Sequence, residues 1–551
     1  MNIIRFAPSP TGNVHIGNIR TAIFNWLFAR STKGQFLLRI EDTDKERSTK
    51  EAIDRLLECM AWLGLDYDGE IFYQSSQELS HIKAAEKMVA ENKAYYSKNA
   101  DSSSQKKGIV FRLPYDYCNI KNVRELGAVE QTLDSSKSIE IAIDGLKFCY
   151  INEKNKSIET TASLAGFKDL KVYDENGLVV FELEKNLSEV INNGKSFAFE
   201  KCSKISFVRR EVFYNDLIKG ELAKPLDTMK DFVILRSDSS PIFHLANVCD
   251  DITQKVTHII RGDDHVENTY KHIFLFEALG CAVPNYAHMP MIVNHQGKPY
   301  SKRDGDAFVG DFKEKGYLSD ALFNYLSLLG WSAGDNREKM TKQEMIEVFT
   351  LDRIKSAPAQ FDIVKLLNMN GLYMAELDDK VFLNSARLEA EKQGWLDASV
   401  MTKLFDDVCM LMKSRTKLFS QVADWKYFFF DDSPLFNGAG YSADLPSKSY
   451  SYDEKGLKKA FKEKDATISA LNTFVKVFRQ RTPVCAHCCE SAIRDTEKEL
   501  ALQEGKLNQS LRASLSGSTN GADLADTMFI LGKERILNRI ERVLSVINGV
   551  L

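Results

Sequence analysis

The sequence predicts an α/β fold built on a parallel sheet, with a β-rich insertion and an all-helical C-terminal half. Three observations carry this prediction. Short buried strands alternate with helices over about the first 65 residues. Alternating polar and apolar segments with polar turns fill Tyr115–Ser206, and helical periodicity dominates the chain after Gly310.

The first four elements set up the parallel sheet. "NIIRFA" and "QFLLRI" are short, apolar and β-branched, which is typical of buried strands. Each is followed by a helical segment, "IGNIRTAIFNWLFAR" and "STKEAIDRLLECMAWLGL", and Ser48 is the predicted N-cap of the second. Ligands of parallel sheets bind outside the carboxyl ends of the strands, so "APSPTG" and "EDTD" are candidate binding loops.

Composition indicates a soluble globular protein of three or four domains. The chain has 551 residues, of which 44% are hydrophobic and 27% are charged. Because its net charge is −4, a nucleic-acid partner would have to bind at a local basic patch. No apolar run is long enough to span a bilayer and no signal pattern opens the chain, so we expect a cytoplasmic protein without membrane contact. We expect its ten cysteines to be free thiols.

The turn between the first strand and the first helix is a candidate phosphate site. It reads "RFAPSPTGNVHIGN" and offers backbone N–H groups at the positive end of a helix dipole. Gly12 and Gly17 allow a ligand to approach the backbone, and His15 can donate a hydrogen bond to a phosphate. An isolated histidine is more often an ordinary loop residue, but this setting favours the phosphate role.

Two further segments carry candidate charges. "GKPYSKRDG" places Ser301, Lys302 and Arg303 in a glycine-flanked loop, where two cations can meet a polyphosphate. "LRIEDTD" places Glu41 at the end of a strand, where a carboxylate can bind an amine, a hydroxyl or Mg²⁺. Taken alone, a short basic loop is usually just solvated, and Glu41 is more often structural or solvated.

The joint order of these segments resembles the class I aminoacyl-tRNA synthetases, and specifically the bacterial-type glutamyl-tRNA synthetases. "RFAPSPTGNVHIGN" is similar to that family's form of the HIGH signature, and "YSKR" to its KMSKS loop. "LRIEDTDKERS", "HIIRGDDH", "YLSDALFNYLSLLGWS" and "LGKERILNRIERVL" resemble further family segments.

The resemblance implies a Rossmann-like catalytic domain and a domain order along the chain. We expect the first half of the catalytic domain at 1–107, an acceptor-binding insertion at 108–206 and the second half at 207–310. A stem-contact helical domain at 311–376 and a helical anticodon-binding domain at 377–551 follow.

The resemblance also implies a glutamate–tRNA ligase. Such an enzyme activates L-glutamate with ATP, accompanied by Mg²⁺, to glutamyl-adenylate, and transfers it to tRNA(Glu). The family needs tRNA for activation. The catalytic residues that the match implies are His15, Lys302 and Arg303. Those implied for ATP are Gly12, His15, Gly17, Ser301 and Lys302. Those implied for glutamate are Arg5, Ala7, Ser9, Glu41, Phe243, Asn247 and Arg261, with a weaker case for His265.

The chain departs from the family pattern in three places. Phe243 stands where the family usually has tyrosine, which removes one hydroxyl donor worth about 1 kcal/mol. Pro299 and Tyr300 stiffen and enlarge the lysine loop. The segment Tyr115–Ser206 has no alignable counterpart, and its place in the chain predicts contact with the tRNA acceptor end.

Zinc is not expected in this chain. Some relatives carry a zinc site after the first half-sheet, but "KAYYSKNADSSS" has no cysteine. In "CAHCCE", Cys485, His487 and Cys488 share one turn without a distant second pair, whereas structural zinc needs four ligands. These cysteines are therefore interpreted as residues at the start of a helix.

Local basic residues are the predicted tRNA contacts. Lys413, Arg415 and Lys417 lie in the region that the family uses to read the anticodon, and Arg415 is assigned to the base that separates glutamate from glutamine anticodons. A solvated helix face explains these residues about equally well. Arg209 and Arg210 lie near the resumed catalytic domain.

Two alternatives to a discriminating ligase remain open from the sequence. One is a non-discriminating form that also charges tRNA(Gln). The other is a catalytically inactive tRNA-binding paralogue, which Phe243 and "KPYSK" keep open but the retained Arg5, His15 and Lys302 oppose. A monomer is expected.

Overall fold

The computed structural model describes residues 1–44, 47–100, 107–115, 120–396, 403–431 and 450–550. The chain forms two compact units. The first comprises Met1–Val309 and Leu326–Phe361, and the second comprises Gly310–Tyr325 and Asp362–Leu551. Along the described part of the chain, no helix combines the length and the apolarity that crossing a membrane requires.

The start of the first unit alternates strands and helices, as the sequence predicts. Its elements are β1 (Ile3–Phe6), α1 (Ile16–Ser31), β2 (Gln35–Ile40), α2 (Lys50–Trp62), β3 (Phe72–Tyr73), α3 (Glu78–Ala90), β4 (Ala94–Ala100) and β5 (Lys107–Phe111). The predicted cap of α2 is wrong by one residue. Thr49, not Ser48, accepts the hydrogen bond of the Ala52 N–H, at 3.3 Å.

The next segment is rich in strands. Its elements are β6 (Val123–Thr132), β7 (Ile139–Ala142), β8 (Gly145–Ile151), β9 (Ser157–Ala162), β10 (Phe167–Asp174), β11 (Val179–Glu182), α4 (Leu183–Ile191), β12 (Phe197–Phe199), β13 (Cys202–Asp216) and β14 (Gly220–Pro225). Strands β12, β7, β8 and β9 form a separate four-stranded sheet in that order. The long strand β13 continues past Ser206, where the sequence predicts that the insertion ends.

The α/β pattern then returns. Its elements are β15 (Phe232–Leu235), α5 (Phe243–Thr253), β16 (His258–Gly262), α6 (Val266–Ala278), β17 (Asn285–Met289) and β18 (Ile292–Val293). Strand β15 pairs with β5, and β5 with β4, in a three-stranded antiparallel sheet.

One ten-stranded sheet organises the first unit. Its main path runs β11-β10-β13-β17-β16-β1-β2-β3, and β6 and β14 also pair with β13. The pairings from β13 through to β3 are all parallel. Strand β1 lies between β2 and β16, so the chain crosses over in opposite directions on its two sides. The carboxyl end of β1 is therefore a switch point, where such sheets bind ligands.

The remaining elements are mostly helical. They are α7 (Val309–Glu314), α8 (Ser319–Leu328), α9 (Lys342–Val348), β19 (Ala359–Gln360), α10 (Ile363–Glu376), α11 (Asp379–Lys392), α12 (Lys403–Lys413), α13 (Glu454–Ala460), α14 (Lys464–Arg479), α15 (Ala486–Glu499), α16 (Asn508–Ser516), α17 (Leu524–Leu531) and α18 (Lys533–Val550). In the second unit, Phe382, Trp395, Trp425 and Phe474 belong to one continuous apolar core. The predicted fold class, an α/β sheet with a β-rich insertion and a helical C-terminal half, is confirmed.

Candidate active site

A cavity of about 610 Å³ lies at the switch point of the first unit. Segments far apart in the sequence meet there, because the parallel sheet brings the carboxyl ends of β1, β2 and β16 to one edge. The predicted site residues that line it are Arg5, Ala7, Ser9, His15, Gly17, Glu41, Phe243, Asn247 and Arg261. His265, Pro299 and Tyr300 also line the cavity. Four other predicted site residues do not line the cavity: Gly12, Ser301, Lys302 and Arg303.

His15 is the N-cap of α1. Its Nδ1 accepts a hydrogen bond from the backbone N–H of Gly17, at 3.0 Å. This N–H is one of the backbone groups at the start of the helix, and in the structure it is engaged within the chain. Because Nδ1 accepts, the neutral ring carries its proton on Nε2.

The charge state of His15 follows from its half-buried position. Burial lowers the pKa of His15, while a hydrogen bond to the Tyr300 backbone raises it, and the effect of burial is larger. The ring is therefore neutral near pH 7 and takes up a proton only in more acid solution. A neutral ring with a proton on Nε2 remains a hydrogen-bond donor.

The segment after the lysine loop pairs with the opening turn. The N–H of Val309 donates to the Val14 carbonyl (3.0 Å), and His15 forms an antiparallel bridge with Phe308. The Lys302 ammonium lies 5.7 Å from the centre of the Phe308 ring, and the His15 ring meets the same ring edge-on at 6.2 Å. His15 and Lys302 thus share one aromatic neighbour.

Asp304 fixes the shape of the lysine loop. Its Oδ2 accepts hydrogen bonds from both the N–H and the hydroxyl of Ser301, each at 2.9 Å, and its Oδ1 accepts from Asn294, at 2.7 Å. Lys302 and Arg303 are exposed. Asp304 therefore fixes the loop backbone at Ser301, while the side chains of Lys302 and Arg303 remain exposed to solvent.

A buried carboxylate joins two arginines beneath the cavity. Asp251 Oδ1 accepts from Arg5 Nε at 2.9 Å and from Arg39 Nη1 at 2.6 Å. All three side chains are at least 95% buried. Burial opposes ionisation of Asp251, but the two guanidinium groups hold its pKa below the ordinary value. Asp251 therefore stays charged and fixes the orientation of Arg5.

Glu41 is held by an amide and an arginine. Asn247 Nδ2 donates to Glu41 Oε1 (2.9 Å), and Arg39 Nη2 lies 3.4 Å from the same oxygen. Burial raises the pKa of Glu41, and Arg39 and Arg5 act against this rise. Asn247 Oδ1 is buried and has no hydrogen-bond partner within the described ranges.

Arg261 is positioned by a relay from strand β13. Asp216 accepts from His288 Nδ1 at 2.6 Å, and His288 Nε2 accepts from Arg261 Nε at 3.1 Å. Arg261 Nη2 donates to the Thr269 hydroxyl (2.6 Å) and the His265 carbonyl (3.2 Å). Its Nη1 is buried and finds no acceptor in the described part of the chain, which leaves one donor for a ligand.

Phe243 forms one wall of the cavity at the start of α5. Its ring stacks on His265, with ring centres 5.5 Å apart and planes 27° apart. Burial lowers the pKa of His265, and Arg261 lowers it further, so the ring is neutral near pH 7. The wall is aromatic and uncharged on this side.

The residues that hold the site residues in place were not predicted from the sequence. These are Arg39, Asp216, Asp251 and His288, together with Arg20, which also lines the cavity. Arg20 donates to the carbonyls of Leu329 and Pro290, and burial lowers its pKa to about 10. An arginine inside the apolar strand "QFLLRI" was a usable signal for Arg39, because a buried cation needs an anionic partner.

The basic residues predicted to meet tRNA have different surroundings. In the second unit, Arg415 and Lys417 line a second cavity of about 610 Å³. Lys413 donates to the Leu377 carbonyl and pairs with Asp379 at 2.6 Å. In the first unit, Arg209 forms a two-pronged pair with Asp227, and Arg210 Nη1 donates to backbone carbonyls. Arg415 is the one of these residues whose side chain has no hydrogen-bond or ion-pair partner within the described ranges.

Metal ligands are not clustered in the part of the chain that the structure describes. There, no group of three or more His, Cys, Asp or Glu side chains is arranged to hold a metal ion. The segment "KAYYSKNADSSS", in which the sequence analysis expects no zinc, lies partly outside the described residues.

Comparisons with known proteins agree with this arrangement. A family model described as "tRNA synthetases class I (E and Q), catalytic domain" matches residues 3–107 and 181–368. A second model, "Anticodon binding domain", matches residues 386–544. The stretch 108–180 lies outside both matches.

Full-length relatives are similar over almost the whole chain. Glutamate–tRNA ligase 2 of Thermoanaerobacter pseudethanolicus is 32% identical over 99% of this chain and 98% of its own. Glutamate–tRNA ligase of Francisella tularensis subsp. novicida is 32% identical over 98% of each chain. A crystal structure of a glutamate tRNA ligase from Elizabethkingia meningosepticum, in complex with its amino acid, shares the fold at a TM-score of 0.65 and 24% identity, with 100% of both chains covered.

The matched models together span the cavity of the first unit and most of the second unit. The relatives extend the similarity to both ends of the chain. The chain therefore belongs to the class I tRNA synthetases of the E and Q group.

Proposed function

We propose that this chain is a glutamate–tRNA ligase. It activates L-glutamate with ATP, bound as the magnesium complex, to glutamyl-adenylate and diphosphate. It then transfers the glutamyl group to the terminal ribose of tRNA(Glu) and releases AMP. The observation that carries this proposal is the convergence of Arg5, Arg261 and Glu41 on the cavity that His15 also lines.

Arg5, Arg261 and Glu41 together match the charges of L-glutamate. A substrate with two carboxylates and one ammonium group needs two cations and one anion, and arginine binds carboxylate in a two-pronged fashion. Arg5, oriented by Asp251, takes the side-chain carboxylate. Arg261 supplies its free Nη1, and Glu41 accepts from the α-ammonium group. The aromatic wall of Phe243 adds no competing charge.

The opening turn and the lysine loop serve the triphosphate. The α-carboxylate of glutamate attacks the α-phosphorus of ATP, and diphosphate leaves. His15 Nε2 donates to a phosphate oxygen at the mouth of α1, where the helix dipole also favours negative charge. Lys302 and Arg303 move in from solvent to meet the charge that develops on the leaving diphosphate. A ribose hydroxyl of tRNA then attacks the activated carbonyl carbon, and AMP leaves.

Charging assays with purified tRNAs test this function. Glutamate-dependent exchange of diphosphate into ATP, with tRNA(Glu) present, is expected, together with formation of glutamyl-tRNA(Glu). Charging of tRNA(Gln) at a comparable rate would identify the enzyme as the non-discriminating form. An absence of both exchange and charging, with tRNA binding intact, would identify an inactive paralogue. We also assign the enzyme to the cytoplasm. We expect it to be a monomer, which sedimentation of the purified protein tests.

Glu41 makes glutamate binding dependent on pH. Its pKa is raised, so the carboxylate is lost at a higher pH than for an ordinary glutamate as the solution is acidified. As the solution is acidified, the KM for glutamate is expected to rise before the pH reaches the range near 4.3, where the substrate's own side chain titrates. Steady-state exchange assays between neutral pH and this range measure it.

The variant Glu41→Gln is the control for this pH dependence. Its KM is expected to be high and flat across the same range, because the amide does not titrate. A KM that rises with acid equally in the variant and in the unaltered enzyme would contradict the assignment of Glu41.

Arg415 is expected to contribute to tRNA binding. The cavity that it lines also offers polar groups from Thr416, Gln421 and Asn520, which suits a splayed base. Replacing Arg415 by alanine is expected to raise the KM for tRNA(Glu) about 5- to 150-fold, from a loss of about 1–3 kcal/mol per contacted base. The KM values for glutamate and ATP should stay unchanged.

Lys476→Ala provides the matched control for this prediction. Lys476 is an exposed cation on α14 of the same unit and does not line the cavity. An equal rise of the tRNA KM in both variants would mean that general charge, not the position of Arg415, accounts for the effect.

A further inference from the structure

The motif "CAHC" opens helix α15 in the second unit. Cys485 is the N-cap of this 14-residue helix, and Cys488 lies in its first turn. None of the residues assigned to glutamate, ATP or the anticodon belongs to this motif. Two cysteines separated by two residues at the start of a helix form the arrangement that dithiol oxidoreductases use for thiol chemistry.

The two thiols are in contact and reachable. Their sulfur atoms lie 3.2 Å apart, and about 1 Å of approach separates this spacing from the length of a disulfide bond. Cys485 is exposed and Cys488 is half-buried, whereas the next residue, Cys489, is fully buried. The chain thus places two accessible thiols beside an inaccessible one.

The surroundings stabilise the thiolate of Cys485. A hydrogen bond from the Cys488 thiol, followed by those from the backbone N–H groups of Cys488 and His487, lowers the pKa of Cys485. Burial instead raises the pKa of Cys489 to about 11. Since the thiolate is the nucleophile, Cys485 is the reactive member of this group.

A metal site explains these cysteines less well than a redox pair. Structural zinc needs four ligands, and the described residues hold no group of three or more candidate ligands here. Two neighbouring thiols are sufficient for a disulfide.

We propose that Cys485 and Cys488 form a reversible dithiol–disulfide couple. The Cys485 thiolate attacks a low-molecular-weight disulfide such as glutathione disulfide, which forms a mixed disulfide and releases one thiolate. Cys488 then loses its proton and attacks the Cys485 sulfur, which releases the second thiolate and closes the Cys485–Cys488 bond. Two thiols are oxidised and one external disulfide is reduced to two thiols.

Oxidation of the full-length protein with glutathione disulfide tests the couple. Fragmentation mass spectrometry is expected to find the peptide with Cys485 and Cys488 lighter by two hydrogens, and dithiothreitol should restore it. Cys488→Ser should instead trap glutathione on Cys485, because the second attack is removed. Cys485→Ser should leave Cys488 reacting more slowly than Cys485 reacts in the unaltered protein.

Cys489→Ala is the matched control, because it removes the adjacent buried thiol. It should still form the Cys485–Cys488 bond, and peptide mapping of the unaltered protein answers the question even where this core variant folds poorly. The proposal is overturned by a stable mixed disulfide on Cys485 in the unaltered protein, by disulfides only between chains, or by thiols that stay unmodified.

Discussion

Replacing Lys302 by alanine is expected to slow glutamate activation by about 10²–10³-fold, because removal of one preorganised charge donor costs this much in the transition state. The KM for glutamate should change little, since Lys302 does not line the cavity that holds Arg5 and Glu41. Its exposed ammonium lies beside Phe308, 5.7 Å from the centre of the ring. Exchange of diphosphate into ATP, with tRNA present, measures both quantities.

Lys298→Ala separates this role from the general charge of the loop. Lys298 is an exposed lysine of the same loop, four residues earlier, and its removal should leave the activation rate within a small factor of the original. An equal loss of rate in the two variants, or a large rise of the glutamate KM in Lys302→Ala, would contradict the assigned role.

Replacing Asp251 by asparagine is expected to lower the free energy of unfolding by about 3–5 kcal/mol, because it leaves buried charges without their partner. Arg5 and Arg39 both donate to this carboxylate, and their side chains are only 5% and 0% exposed. Arg5 also loses its orientation, so the KM for glutamate should rise. Denaturant unfolding followed by tryptophan fluorescence measures the first effect, and the exchange assay measures the second.

Asp379→Asn gives the comparison for an exposed pair. Asp379 pairs with Lys413 at 2.6 Å, but its side chain is 71% exposed, and exposed pairs contribute about 0–1 kcal/mol. Because the chain has two compact units, the transition that reports the first unit should shift only in Asp251→Asn. Equal shifts in the two variants would show that the Asp251 pair is no stronger than a surface pair.

Local sequence patterns predicted the parts of the site that depend on neighbouring residues. The turn around His15 follows from proline and glycine between a strand and a helix, and Glu41 follows from its place at the end of an apolar strand. The positions of both residues depend on neighbours that are close in the chain, and a single sequence shows such neighbours directly. The same is true of the β-rich insertion, whose alternating segments form strands.

The pairings of the supporting residues could not be predicted because the partners are distant in the chain. Arg39 and Asp251 are separated by 212 positions, and Asp216 and His288 by 72. No periodicity links such pairs. The engagement of the Gly17 N–H has a different cause, since the same histidine that faces the cavity also caps the helix.

Strand β13 is one continuous backbone that belongs to two parts of the first unit. Its earlier residues pair with β6 and β10 of the insertion, and its last residue, Asp216, lies in register with Tyr286 of the parallel core. A chimaera that exchanges the inserted segment for another protein's must therefore be joined before Cys202. A junction placed inside the strand would shift the register of Asp216 and misplace the donor groups of Arg261.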